Sequence, residues 1–206
     1  MHVLLINGSP HEKGCTYTAL SLVAGELNAA GITTEILNVG TKPVGGCIGC
    51  GGCAKGNGCV FGGVVNEAIE KARTADAFVF GTPVHYASAS GNMTSFLDRL
   101  AYAGGKYLAY KPAAICCSAR RAGTTSTLDQ LVKYPQFFHM PLVNGSYWAM
   151  VHGSNPEQVL QDAEGCAVMQ ELGRNMAWLL HCIEAGKAAG VDHPQNPPRP
   201  MTSFIR

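Results

Sequence analysis

The chain has 206 residues, of which 47% are hydrophobic and only 14% are charged, and its formal net charge is +1. This length fits a single α/β domain, and so small a net charge argues against a nucleic-acid partner, which requires a basic surface. No apolar stretch approaches the ~20 residues of a membrane span and the first residues lack the pattern of a signal peptide, so we expect a cytoplasmic chain with no membrane partner.

Short apolar segments alternate with helical segments along the chain. Five strands are predicted, at residues 3–6, 33–39, 76–81, 112–117 and 141–147. Helices are predicted at residues 16–30, 64–73, 92–102, 124–132 and 157–185. The alternation predicts a parallel sheet with helices on both faces, in one domain over residues 1–206. Within it, about 188–206 are expected to form an extended, proline-rich tail.

The loop after the first strand suits a phosphate. It contains Gly8, Ser9 and Gly14 and then opens a helix, whose first N–H groups and positive dipole end attract anions. Ser9, Thr16 and Tyr17 add hydroxyl donors. The alternative is an ordinary tight turn in which Ser9 or Thr16 caps the helix.

The loop after the third strand suits a flat heterocycle. Pro83 is expected to end that strand, because proline cannot extend a central ladder. His85 and Tyr86 then lie at the sheet edge, followed by small residues and backbone donors. Alternatively, these two side chains form a polar pair that caps the core. After the fourth strand, Arg120 and Arg121 either meet an anionic group or remain solvated.

Four cysteines are closely spaced in the long glycine-rich segment 40–63. Cys47, Cys50, Cys53 and Cys59 follow the pattern C-x2-C-x2-C-x5-C, which can hold an iron–sulfur cluster. A zinc site and four metal-free thiols are the alternatives. A disulfide framework is not expected without a secretion signal. The remaining cysteines are expected to pack in the core, namely Cys15, Cys116, Cys117, Cys166 and Cys182.

These segments together resemble the NADPH-dependent FMN reductase family of the flavodoxin-like superfamily. The resemblance covers about residues 1–150. Its motifs are Gly8-Ser9-Pro10 with Gly14 and Thr16, Thr82-Pro83-Val84-His85-Tyr86 with Ser90-Gly91, and Phe96-Leu97-Asp98-Arg99. The cysteine pattern resembles that of iron–sulfur flavoproteins, which carry a 4Fe–4S cluster beside FMN.

The resemblance implies a flavodoxin-like three-layer sandwich with a five-stranded parallel sheet in the order 2-1-3-4-5 and FMN at the switch point. It implies FMN contacts from Ser9, Pro10, Cys15, Thr16, Tyr17, Pro83, Val84, His85, Tyr86, Ser90, Ser118, Ala119, Arg120 and Gly123. His85, Tyr86 and Arg120 are the expected contacts to the reacting substrate.

The implied activity is that of an oxidoreductase. Electrons pass from NADH or NADPH through FMN to a small acceptor such as a quinone or another flavin. The alternative is an electron carrier fed by a ferredoxin-like partner, with or without the cluster. Members of the family are usually dimers or tetramers. The charged fraction here is well below the ~25% typical of soluble domains, which also favours a homodimer or homotetramer.

Overall fold

A computed structural model describes residues 1–198 and 200–204 of the chain. Its sheet contains β1 (His2–Asn7), β2 (Thr33–Asn38), β3 (Ala77–His85), β4 (Ser88–Ala89), β5 (Ala113–Ala119) and β6 (Met150–His152). Five strands are parallel and lie in the order β2-β1-β3-β5-β6, while β4 pairs antiparallel with the end of β3. Apart from the added hairpin strand, this is the predicted parallel order.

Helices cover both faces of the sheet. They are α1 (Cys15–Ala29), α2 (Val64–Thr74), α3 (Gly91–Gly104), α4 (Thr124–Phe137), α5 (Pro156–Gln161) and α6 (Ala163–Ala188). One buried cluster joins the sheet to α1, α5 and α6, and the other joins it to α2, α3 and α4. The predicted three-layer α/β sandwich is therefore confirmed.

The strands are apolar on both faces, as expected for a parallel sheet between two helical layers. In β1, Val3 and Leu5 pack in the first cluster, whereas Leu4 and Ile6 pack in the second. All four side chains are at most 1% exposed. This core fixes the positions of the strand ends, from which the polar loops emerge.

Pro83 does not end the third strand, contrary to prediction. It lies inside β3, opposite Ser118 of β5. The backbone groups of Gly81 point toward β1, where the Gly81 carbonyl accepts from the Gly8 N–H at 2.8 Å. Pro83, two residues further along β3, faces the same side. Because β1 pairing ends at Asn7 and Gly81, the missing N–H of Pro83 falls beyond the partner strand. The proline therefore removes no ladder hydrogen bond.

The strand predicted at residues 141–147 is wrong. Only Leu142 forms a bridge to β5, and the sheet resumes at β6. The intervening residues are drawn toward α6, because Ser146 N–H donates to the Glu171 carboxylate at 2.8 Å and Asn175 donates to the Asn144 carbonyl at 2.8 Å.

The single helix predicted at residues 157–185 is two helices, α5 and α6. Asp162 interrupts it with φ −76° and ψ 80°. The Asp162 carboxylate accepts from the Gly165 N–H at 3.0 Å, as a helix N-cap does. The same side chain accepts from the His152 N–H at 2.7 Å, which ties the start of α6 to β6.

The tail beyond α6 contains neither helix nor strand over residues 189–198 and 200–204. The predicted extended tail also includes residues 199, 205 and 206, which lie outside the described residues. Within the described part of the chain, no helix is long and apolar enough to cross a membrane.

Candidate functional site

The loop between β1 and α1 leaves the start of that helix open. Gly14 is the N-cap residue, and no side chain of the described residues caps the helix. The first N–H groups of a helix have no partner in its own ladder, so those of Cys15, Thr16 and Tyr17 are available to an anion. The alternative in which Ser9 or Thr16 caps the helix is not what the structure has.

Buried hydroxyl groups hold this loop. The Ser9 hydroxyl accepts from the His11 N–H at 3.1 Å, and the Ser9 N–H donates to the Asn7 side chain at 3.1 Å. Thr16 and Ser118 place their hydroxyl oxygens 2.8 Å apart, which joins α1 to the end of β5. One proton of that pair remains free to donate. The arrangement therefore offers hydroxyl and peptide donors at one edge of the sheet.

Cys15 and Pro10 contribute less to this loop. The Cys15 thiol points to the Gly153 carbonyl at 3.5 Å, and burial raises its pKa. Pro10 is exposed at the surface of the loop. Tyr17 is partly buried on the first turn of α1.

The segment after β3 folds back as a β-hairpin. Its tip residues, Tyr86 and Ala87, have φ values of +50° and +57°, the backbone of a tight hairpin turn. Positive φ is uncommon for a residue as bulky as tyrosine. The Tyr86 side chain is fully exposed and His85 is exposed as well, so these two do not form the polar pair over the core that the sequence allowed.

Contacts with the start of α4 fix the hairpin tip. The Ser126 hydroxyl donates to the Ala87 carbonyl at 2.7 Å. Gly123, with φ +92°, lies so close that a Cβ there would be 2.7 Å from the Ala87 Cα. The hairpin and the loop after β5 therefore form one surface beside Val84. Arg120 is exposed there and has no hydrogen bond or ion pair with another described residue.

Ser90 joins the hairpin to the phosphate-type loop. Its hydroxyl donates to the Gly8 carbonyl at 2.7 Å, and its N–H donates to the Thr82 hydroxyl at 3.1 Å. Thr82 and Ser90 are both buried. The three loops predicted at the carboxyl ends of the strands are thus in contact.

Sequence reasoning missed Gly40 and Asn92. Gly40 packs against the loop between β1 and α1, and Asn92 holds Gly40 in place. Gly40 is buried directly against the backbone of Gly8 and Ser9. Asn92 on α3 donates to the Gly40 carbonyl at 2.9 Å and accepts from the Val44 N–H at 3.1 Å. No local motif signals these contacts, because Gly40 lies about thirty residues from the first loop and Asn92 lies about fifty residues from Gly40 and Val44.

The cysteine-rich segment folds against the side of α3. Its four cysteines line one pocket of about 280 Å³, which also includes Ile48, Phe61, Arg99 and Tyr102. Cys47 and Cys50 are exposed, while Cys53 and Cys59 are partly buried. No three possible ligands within the described ranges lie close enough together to hold a metal ion.

Cys59 is the most firmly held of the four. The Asn66 side chain accepts from the Cys59 N–H at 2.8 Å and donates to its carbonyl at 3.0 Å. Arg99 Nε lies 3.2 Å from the Cys59 sulfur. Glycines with positive φ, Gly49 at +65° and Gly51 at +69°, flank Cys50. Four free thiols that line one pocket, with Arg99 beside Cys59, are the donor types that hold an iron–sulfur cluster.

The other cysteines differ in burial. Cys116 and Cys117 are core residues, as predicted. Burial raises the pKa of the Cys116 thiol to about 12. It also raises the pKa of the Cys117 thiol. Cys15 and Cys166 are partly buried. The expectation for Cys182 is wrong, because this residue lies on the exposed face of α6.

Structural comparison identifies the fold. RosB, solved with a bound riboflavin-phosphate derivative, matches with a TM-score of 0.70 at 15% identity, over 100% of this chain and 94% of that one. A flavodoxin from the Archaea matches with a TM-score of 0.60 at 10% identity, over 88% of this chain and 99% of that one. The fold is therefore flavodoxin-like.

Sequence comparison identifies the family. The chain is 26% identical over 192 residues to an iron–sulfur flavoprotein of Methanocaldococcus jannaschii, covering 89% of this chain and 100% of the relative. Three further archaeal iron–sulfur flavoproteins match over about half of this chain and half of their own length. The family model of NADPH-dependent FMN reductase matches residues 1–155. Since this match spans most of the chain, the protein belongs to the NADPH-dependent FMN reductase family, a family of oxidoreductases.

Proposed function

We propose that the chain binds FMN across the three contacting loops and passes electrons from NADH or NADPH to a small acceptor such as a quinone or a free flavin. The open N-terminus of α1, beside the buried hydroxyls of Ser9, Thr16 and Ser118, is the observation that carries the proposal. A phosphate bound there would be held by neutral donors and the helix dipole.

The hairpin and the loop after β5 are proposed to hold the flavin ring. Pro83, Val84 and Ser90 are proposed to lie along it, with Ala119 and Gly123 on the other side. Tyr86 and Arg120 are exposed and unpaired among the described residues, so both can reach a second substrate. With His85, they are our proposed substrate contacts. FMN supplies the electron-transfer chemistry once bound, and the protein orients it.

We also propose that Cys47, Cys50, Cys53 and Cys59 hold one 4Fe–4S cluster. Two features support this: the shared pocket of the four thiols and the names of the archaeal relatives. Within the described residues no three of the thiols are close enough to hold a metal ion, so the loop would have to close around the cluster, with Cys59 held in place by Asn66. A cluster at this position would favour a second candidate function, that of an electron carrier that receives electrons from a ferredoxin-like protein.

An absorption spectrum of the protein purified without oxygen tests both cofactors. We expect flavin bands at ~370 and ~450 nm that bleach when NADPH or NADH is added. A shoulder at ~400 nm with matching iron content would support the cluster. Flavin that bleaches only with reduced ferredoxin would favour the carrier. A colourless protein that cannot be reconstituted with FMN would refute the FMN proposal.

We propose that the chain forms a homodimer or homotetramer through the apolar surface around the cysteine pocket. Ile48, Val60, Phe61 and Tyr102 line that pocket and are 55–75% exposed. A contiguous patch of this kind on a chain so poor in charge is typical of an interface. Sedimentation should give two or four chains per particle, and Tyr102→Glu should lower this number. A wild-type monomer at micromolar concentration would contradict the proposal.

A further inference from the structure

Arg99 is a buried cation without a carboxylate partner. Its side chain projects from α3, and the residue is 7% exposed. No ion pair in the described part of the chain includes it. Its hydrogen-bond partners are the Gly45 carbonyl at 3.3 Å, the Gly62 carbonyl at 3.0 Å and the Cys59 sulfur at 3.2 Å. Its guanidinium carbon also lies 5.7 Å from the centre of the Phe61 ring.

A buried guanidinium is costly unless an anion compensates its charge. The two carbonyl groups and the Phe61 ring carry no net charge, so none of them cancels the positive charge of Arg99. The Cys59 sulfur is the contact that can carry negative charge, since a cysteine that ligates metal does so as a thiolate. The positive charge of Arg99 is therefore better compensated when Cys59 ligates a metal as a thiolate than when Cys59 is a neutral thiol.

Arg99 also donates to carbonyl groups on both sides of the cysteine segment. Gly45 lies two residues before the first cysteine, and Gly62 lies three residues after Cys59. One planar fork thus fixes both ends of the segment, a geometry that lysine cannot reproduce. Arg99 lies two turns along α3 from Gly91, or about 12 Å at 1.5 Å per residue, so it belongs to the cysteine pocket and not to the loops of the proposed FMN site.

We propose that Arg99 is a positioning residue for the cluster: it supplies the positive charge beside Cys59 and raises the reduction potential of the metal centre. This inference rests on the proposed cluster. Reduction adds negative charge to the centre, so a nearby cation stabilises the reduced form. Loss of that cation makes reduction less favourable.

Two substitutions separate charge from shape. Arg99→Gln removes the charge, whereas Arg99→Lys keeps it and loses the fork. We expect Arg99→Gln to lower the equilibrium constant for one-electron reduction by about tenfold, a shift of ~59 mV to more negative potential. We expect Arg99→Lys to stay near the wild-type potential, and to lose iron to a chelator ~10-fold faster because the ends of the segment are freed.

The experiment is a redox titration of the purified holoproteins, followed by absorbance and electron paramagnetic resonance, with iron and flavin analysis. Arg174→Gln is the matched control, because it removes a surface arginine that pairs with Glu26 on the opposite face. If Arg99→Gln holds no iron while Arg99→Lys does, the charge role is supported. Wild-type potential and iron content in Arg99→Gln would overturn it, as would equal shifts in both variants. Wild-type protein without iron would instead overturn the cluster and this inference together.

Discussion

Gly40→Ala is expected to weaken FMN binding by ~10–100-fold. A Cβ at this position would lie 2.5 Å from the Gly8 carbonyl oxygen and closer still to the Ser9 carbonyl group. Both neighbours are backbone atoms and cannot turn aside as a flexible side chain does. In the free protein the loop can relax away from the methyl group, but FMN requires it in place. Overpacking costs about 1–3 kcal/mol, which is the affinity loss expected here.

Gly25→Ala is the control for this substitution. Gly25 lies on the exposed side of α1, and a Cβ there would meet no atom within 4 Å. Alanine inside a helix stabilises the fold by roughly 0.5–1 kcal/mol relative to glycine, without any effect on FMN affinity. Flavin fluorescence quenching and thermal unfolding measure the two quantities separately. If Gly40→Ala binds FMN as tightly as Gly25→Ala, the close backbone contact is not part of the cofactor site.

The fold was predictable because its signals are local. The apolar runs of β1 and β3, the helical stripe of α1 and the glycine-rich loops between them each follow from neighbouring residues. The family-like motifs then placed those elements in order. The predicted boundaries of helices and strands were wrong where a contact with a residue distant in the chain determines them. Asp162 divides the last helix because it can bond both Gly165 and His152, and nothing within the helical pattern signals the second of these partners.

The candidate site was predictable in composition but not in geometry. Ser9, Thr16 and Ser118 were expected near the cofactor, yet the hydroxyl pair between the last two joins residues 102 positions apart. The hairpin at Tyr86 was missed because Pro83 was expected to stop the strand, an expectation that holds only where a partner strand continues beside the proline. Arg99 belongs to a motif that the sequence shows, but its contact with Cys59 depends on how the cysteine segment folds back on α3.

Cys50→Ser is expected to remove the cluster while FMN remains bound. A serine hydroxyl is a harder ligand that stays protonated at neutral pH, so one of the four proposed thiolate ligands is lost. Loss of an outer-shell partner alone costs ~10–100-fold in metal affinity, and loss of a direct ligand should exceed that. Gly40 and Asn92, which contact the first loop of the proposed FMN site and each other, are left unchanged by this substitution.

Cys182→Ser provides the matched control, because Cys50 and Cys182 are both exposed and their thiols contribute little to core packing. We expect Cys50→Ser to lose the ~400 nm shoulder and most of its iron and to keep the flavin bands, whereas Cys182→Ser keeps all three. Zinc in place of iron in the wild type would assign the same four residues to a different metal. If Cys50→Ser retains wild-type iron and spectrum, Cys50 is not a ligand. In that case other residues hold the iron, and the exposed Cys50 thiol belongs to the apolar surface that is proposed to join two chains.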